Sequence, residues 1–156
     1  MNQKDLAEDY MNNAKIRLKT AENVIEESFY AFCFRLCQEA TELSLKAALR
    51  LVGIDFPKWH DIGALLKKEQ NKFPENFQDK ILRLAEISEK LTELRELAMY
   101  GDEKNSKPAS SLFNEKKSKD AIKDAKYCIE QVENLFDLLV KENKDDEFSK
   151  NSENTK

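Results

Sequence analysis

The sequence predicts an all-α fold, an antiparallel up-and-down bundle of about five helices, and three observations carry that expectation. The chain holds 21 Lys, 19 Glu and 18 Leu against 4 Val, 4 Thr, 3 Gly and 3 Pro, so helix formers abound and strand or hairpin residues are scarce. Apolar residues recur at steps of three and four over long stretches. Gly53, Gly101 and the three Pro residues fall between those stretches rather than inside them. At 156 residues the chain is long enough for one core and too short for two. Neither G-x-G-x-x-G nor G-x-x-x-x-G-K-[ST] occurs, which excludes the two common Gly-rich phosphate cradles.

Met11, Ala14, Leu18, Ala21 and Ile25 form one face of a first helix over roughly residues 3–27. Ser28 is the expected N-cap of a second helix, in which Phe29, Tyr30, Phe32, Cys33, Phe34, Leu36 and Cys37 cover nearly every face. That helix must be buried on several sides, and it ends at Gly53, with Pro57 beyond. A short third helix follows His60-Asp61, with Ile62, Leu65 and Leu66 facing inward and Pro74 as its limit. Phe77, Ile81, Leu84, Ile87, Leu91, Leu94 and Ala98 predict one uninterrupted fourth helix from Pro74 to Tyr100-Gly101. Residues 101–113 read as a mobile surface loop. The fifth helix spans Asn114 to Glu142, and beyond it Phe148 is the only apolar residue. The expected organisation is therefore a bundle over residues 1–142 and a disordered charged tail over 143–156.

A net charge of −4 argues against a broad electropositive surface. Residues 75–103 carry 4 basic and 8 acidic side chains, whereas residues 104–126 carry 7 Lys and 3 acids, so the second stretch is the only basic patch along the sequence. The acidic start and the lack of a long apolar run predict a cytoplasmic protein without a membrane segment. Cys33, Cys37 and Cys128 lack C-x-x-C spacing and are expected to be reduced core residues, with no metal.

Glu42 and Lys46 stand in the i,i+4 order that favours a helix-face ion pair, and spacing alone asks nothing more of them. His60 beside Asp61 reads as part of a helix start. Arg95 sits at the edge of the fourth helix's apolar stripe, where its stem can pack while its guanidinium reaches a carboxylate or a phosphate.

An Ala/Tyr-patterned first helix, Phe29-Tyr30, Gln38-Glu39-Ala40-x-Glu42-x-x-x-Lys46-Ala47, His60-Asp61-Ile62-x-x-Leu65-Leu66 and Ala98-Met99-Tyr100-Gly101-Asp102 follow one another before an Ala-rich last helix. In that order and spacing they resemble the HEPN (higher eukaryotes and prokaryotes nucleotide-binding) domain family, in an archaeal-type stand-alone form, over residues 5–140. The resemblance implies an up-and-down bundle, commonly a homodimer. Many members are metal-independent endoribonucleases, often toxins, whose Arg is followed after four to six residues by a His near the end of the fourth helix. Others bind RNA or nucleotides without cleaving, or pair with a nucleotidyltransferase partner.

Arg95 matches the family Arg, but Tyr100 stands where the His would be. A phenol titrates near ~10 and is a poor substitute for imidazole in proton transfer. The expected protein is thus a dimeric, non-catalytic bundle that binds nucleotide, RNA or a nucleotidyltransferase partner in a toxin-antitoxin or defence-like setting, without a cofactor. Its ligand-binding residues are expected to be Arg95, Tyr100, Asp102, Glu42, Lys46 and His60, with no catalytic residue. The alternatives are an endoribonuclease that uses Arg95 with Tyr100, and a purely structural assembly partner.

Overall fold

The structure is a computed structural model that describes residues 3–56 and 61–154. Its helices are α1 (Gln3–Glu26), α2 (Tyr30–Leu51), α3 (Ile62–Lys68), α4 (Glu75–Glu93), α5 (Arg95–Tyr100), α6 (Ala109–Leu112) and α7 (Glu115–Glu153), with a 3₁₀ turn at Gln70–Lys72. No described helix is long and apolar enough to cross a membrane.

α2 is the central element, packed against α1, α7, α4 and α5. Its buried set includes Cys33, Phe34, Cys37, Ala40, Ser44, Leu45, Ala47, Ala48 and Leu49, as the apolar crowding in the sequence requires. The small residues Ala40, Ser44, Ala47 and Ala48 leave room for neighbouring helices to approach closely. α7 lays Ala121, Ala125, Cys128, Ile129, Val132 and Leu135 into the same core. The Ser118 hydroxyl donates to the Tyr30 carbonyl at 2.8 Å, pinning α7 to the start of α2. All three cysteines are free and buried. Burial first, and then the charge of Asp124, pushes the Cys128 thiol up to about 12.

Two caps follow one rule. Gly53 (φ 77°) closes α2, with Ile54 N–H donating to Leu49 and Gly53 N–H to Arg50, the paired bonds of a left-handed C-terminal cap. Ser28 does the same for α1: it is left-handed (φ 64°), Phe29 N–H donates to Val24 and Ser28 N–H to Ile25. The expectation that Ser28 is the N-cap of α2 is therefore corrected. Ser28 ends the preceding helix, and Phe29 takes the cap position without a side-chain bond. Asp61 caps α3 as expected, its carboxylate accepting from Ala64 N–H at 3.2 Å.

Three further expectations are revised. The predicted single fourth helix is interrupted at Leu94 (φ −98°, ψ 3°), which sets α5 apart from α4. Residues 101–113 are tied rather than loose: Asp102 N–H donates to Lys107 at 2.8 Å, Lys107 N–H returns the bond at 3.0 Å, and residues 109–112 form α6. Finally, α7 continues as helix through the predicted disordered tail to Glu153. No Gly or Pro interrupts residues 143–153, and their Lys, Glu and Asp side chains stay exposed around the helix.

Candidate functional site

One polar stripe runs along the largely apolar α2. Arg35, Gln38, Glu42, Lys46 and Arg50 recur at steps of three and four, so they share a face, and α5 packs against α2. Glu42 is half-buried and accepts from Lys46 Nζ at 2.7 Å and from Gln38 Nε2 at 3.0 Å. Burial alone would raise its pKa. The two hydrogen bonds and the charges of Lys46 and Arg95 outweigh burial and hold the carboxyl below its ordinary range. At neutral pH Glu42 is therefore a carboxylate already committed to Lys46 and Gln38.

Arg95 opens α5, immediately after the interruption at Leu94. It is exposed, and it forms no ion pair or hydrogen bond among the described residues, although its charge reaches Glu42. Its guanidinium fork is left with donors to offer a ligand. Tyr100 closes the same helix with 64% of its surface exposed, beside Met99 at 46%. Positions five apart on a helix point about 140° away from each other, so Arg95 and Tyr100 of one chain do not converge on a single atom.

Gly101 follows with φ 73° and ψ −168°, a conformation essentially reserved for glycine. A Cβ there would lie 2.4 Å from the Lys107 carbonyl oxygen and 2.8 Å from Ala109 N. The tight fit turns the chain sharply away after Tyr100 and leaves that ring standing at the helix end.

Asp102 is held by its own loop. Its carboxylate accepts from Asn105 Nδ2 at 2.7 Å and Asn105 N–H at 3.2 Å, and these bonds, that of the Asn105 side chain first, hold the carboxyl below its usual range. It builds the turn that Gly101 begins. His60, the sixth expected site residue, lies outside the described residues.

The structure thus brings Glu42 and Lys46 into direct contact and Arg95 within reach of their charge, while Tyr100 stands at the far end of α5. It also adds residues that the sequence reading passed over. Arg35 Nη1 lies 3.3 Å from Met99 Sδ, and the Arg35 guanidinium sits 5.1 Å from the Phe32 ring centroid. Phe29 and Phe32 are 56% and 39% exposed, and with Arg35, Ala98 and Ser110 they line a shallow hollow of about 250 Å³ between the start of α2, the second half of α5 and α6. The signal was available: polar side chains every three or four residues along a helix that is largely apolar. The arrangement offers two guanidiniums for an anion and aromatic or thioether faces for a flat apolar group, and the stripe's own carboxylate, Glu42, is neutralised by Lys46.

No curated protein matches the chain. Among solved structures, the crystal structure of TT1696 from Thermus thermophilus superposes with a TM-score of 0.67 over 86% of this chain and 98% of that one, at 24% identity, a likeness of fold. The helix order, the α2 motif and the Arg95–Asp102 segment all fall within residues 7–143, which match the model of the HEPN domain, and the chain therefore belongs to the HEPN family of nucleotide- and RNA-related helical domains.

Proposed function

We propose that this chain is a non-catalytic nucleotide- or RNA-binding module that works as a homodimer. The observation that carries the reading is Arg95: a guanidinium exposed on a short helix and unpaired among the described residues, in a chain whose other four arginines all contact a side chain or a carbonyl. An arginine kept only for stability would be expected in a bidentate pair or stacked on a ring. Placed as it is, it suits a phosphate, with Tyr100 and Met99 offering faces to a base or sugar. Tyr100 in the place of the family His is what supports binding without cleavage.

The Arg95→Ala variant is expected to keep its thermal midpoint, because an exposed side chain with no partner contributes less than about 0.5 kcal/mol to folding. It should weaken binding of a fluorescein-labelled mixed-sequence RNA and flatten the dependence of log K on log salt by about 0.7 for the lost phosphate contact. Unchanged affinity together with an unchanged salt slope would remove Arg95 from the site.

The dimer is supported by the exposed Phe29, Phe32, Met99 and Tyr100, four large apolar side chains gathered around the contact of α2 with α5. Light scattering after size exclusion should give twice the 18.1 kDa chain mass at micromolar concentration. A Phe32→Glu variant should return it to a single-chain mass. A wild-type mass of one chain across the whole concentration range would reject the dimer.

A further inference from the structure

The Lys-rich stretch 104–126 holds no arginine, and its one aromatic, Phe113, is buried against Phe34, so the sequence alone marks it as a solvated face. Folding changes that. α4 packs beside α7, and the Arg83 guanidinium lies 4.7 Å from the Tyr127 ring centroid, so a cation and an aromatic from separate segments meet on the flank of the basic stretch. Tyr127 lines a groove of about 400 Å³ with Lys119, Lys123, Lys126, Ile122 and Glu130. A second groove of about 420 Å³ continues along α7 between Lys80 and Lys141, floored by the amides of Gln131 and Asn134 and holding Asp137.

Charge is segregated here against the trend of the chain. Together with Arg83, the two grooves present six cations and two carboxylates, in a protein whose net charge is −4. Two of the six already have partners, Lys119 with Glu115 and Lys126 with Glu22. Lys80, Arg83, Lys123 and Lys141 form no ion pair among the described residues. Lys90, next to this seam, is by contrast neutralised by Asp124. From Lys119 to Lys141 the helix rises about 33 Å, long enough for several successive phosphates rather than one.

We infer that the seam between α4 and α7 is a second nucleic-acid surface, one that tracks the phosphate backbone of single-stranded RNA through Lys80, Arg83, Lys123 and Lys141. It is separate from the Arg95 site and goes beyond that reading. Its role is grip along the strand: cations spaced along a helix follow a backbone, and the amides of Gln131 and Asn134 supply neutral hydrogen bonds between them.

The test uses the full chain and a labelled 20-nucleotide single-stranded RNA of mixed sequence, titrated at several salt concentrations. The triple variant Lys80→Ala, Lys123→Ala, Lys141→Ala removes only side chains without ion pairs and should fold as the wild type does, which circular dichroism checks. Its log K against log salt slope should fall by about 2, near 0.7 for each lost phosphate contact. A charge-keeping control with Arg at the same three positions should restore the slope. If the alanine variant keeps the wild-type slope while Arg95→Ala loses affinity, the seam is rejected and the Arg95 reading stands. If the seam variant loses the slope while Arg95→Ala binds normally, the Arg95 reading fails and the seam stands. A wild type that ignores RNA but binds vesicles of anionic lipid, or captures an acidic protein, overturns the inference.

Discussion

Tyr100→His is expected to give the chain a metal-independent RNA-cleaving activity. The substitution restores an imidazole after the four residues Glu96-Leu97-Ala98-Met99 that separate it from Arg95, which is the family's spacing. Position 100 is 64% exposed at a helix end, so the smaller imidazole meets no steric obstacle there and folding should be unaffected. A positioned general acid or base is worth about 10²–10⁴ in rate, and a gel assay with EDTA present reads a change of that size directly. Because the two side chains of one chain point about 140° apart, the reacting pair must come from both copies of the proposed dimer or follow a local rearrangement of α5. Combining the change with Arg95→Ala should abolish the new activity. A folded, RNA-binding Tyr100→His variant that cleaves nothing would show that position 100 is not where the family's chemistry takes place.

The second large effect is on stability. Gly101→Ala is expected to cost about 2–4 kcal/mol, since it combines a backbone conformation that only glycine tolerates with a collision against backbone atoms that cannot swing aside. For a domain of this length that lowers the thermal midpoint by roughly 5–15 °C. Gly53→Ala is the matched control. Gly53 has nearly the same φ, 77°, but nothing lies within 4 Å of the added methyl, so only the left-handed strain of about 1 kcal/mol applies. Equal losses at the two positions would mean that the Lys107 and Ala109 contacts do not matter. The Gly101 variant should also weaken RNA binding, because the turn it disrupts holds Tyr100 at the end of α5.

The helical fold was readable because it rests on apolar spacing, and spacing is a property of sequence. Gly53 and Asp61 end and begin their helices as their residue types demand. Ser28 was misassigned because a serine before a helix and a serine after one look identical when two helices nearly touch, and only the backbone bonds of Phe29 and Ser28 decide which helix owns it. The interruption at Leu94 left no sign at all: no Gly or Pro marks it, and the apolar stripe runs straight through from Leu91 to Ala98. Arg95 stood out in the sequence by its place at the edge of that stripe and gained its family role from the resemblance, but that it opens a separate helix is visible only in the structure. Asp102 carried no mark separating a ligand from a turn builder, because an Asp three residues before an Asn serves either purpose. Arg83 with Tyr127, and Lys80 with Lys141, are far apart in sequence and become neighbours only once α4 meets α7.

The hydrogen bond from Ser118 to the start of α2 spans 88 residues, and it belongs to a contact by which the last long helix completes the cover of the most apolar one. A ribosome delivers these segments in the opposite order of need. At about 5–20 residues per second, α2 spends roughly 5–20 s outside the tunnel with its α7-facing side, Cys33 and Thr41 among it, uncovered. During that interval the nascent chain offers a sticky helix to its neighbours on the same messenger. A second copy on an adjacent ribosome would meet that face before α7 covers it, so crowded translation is expected to favour contacts between unfinished chains.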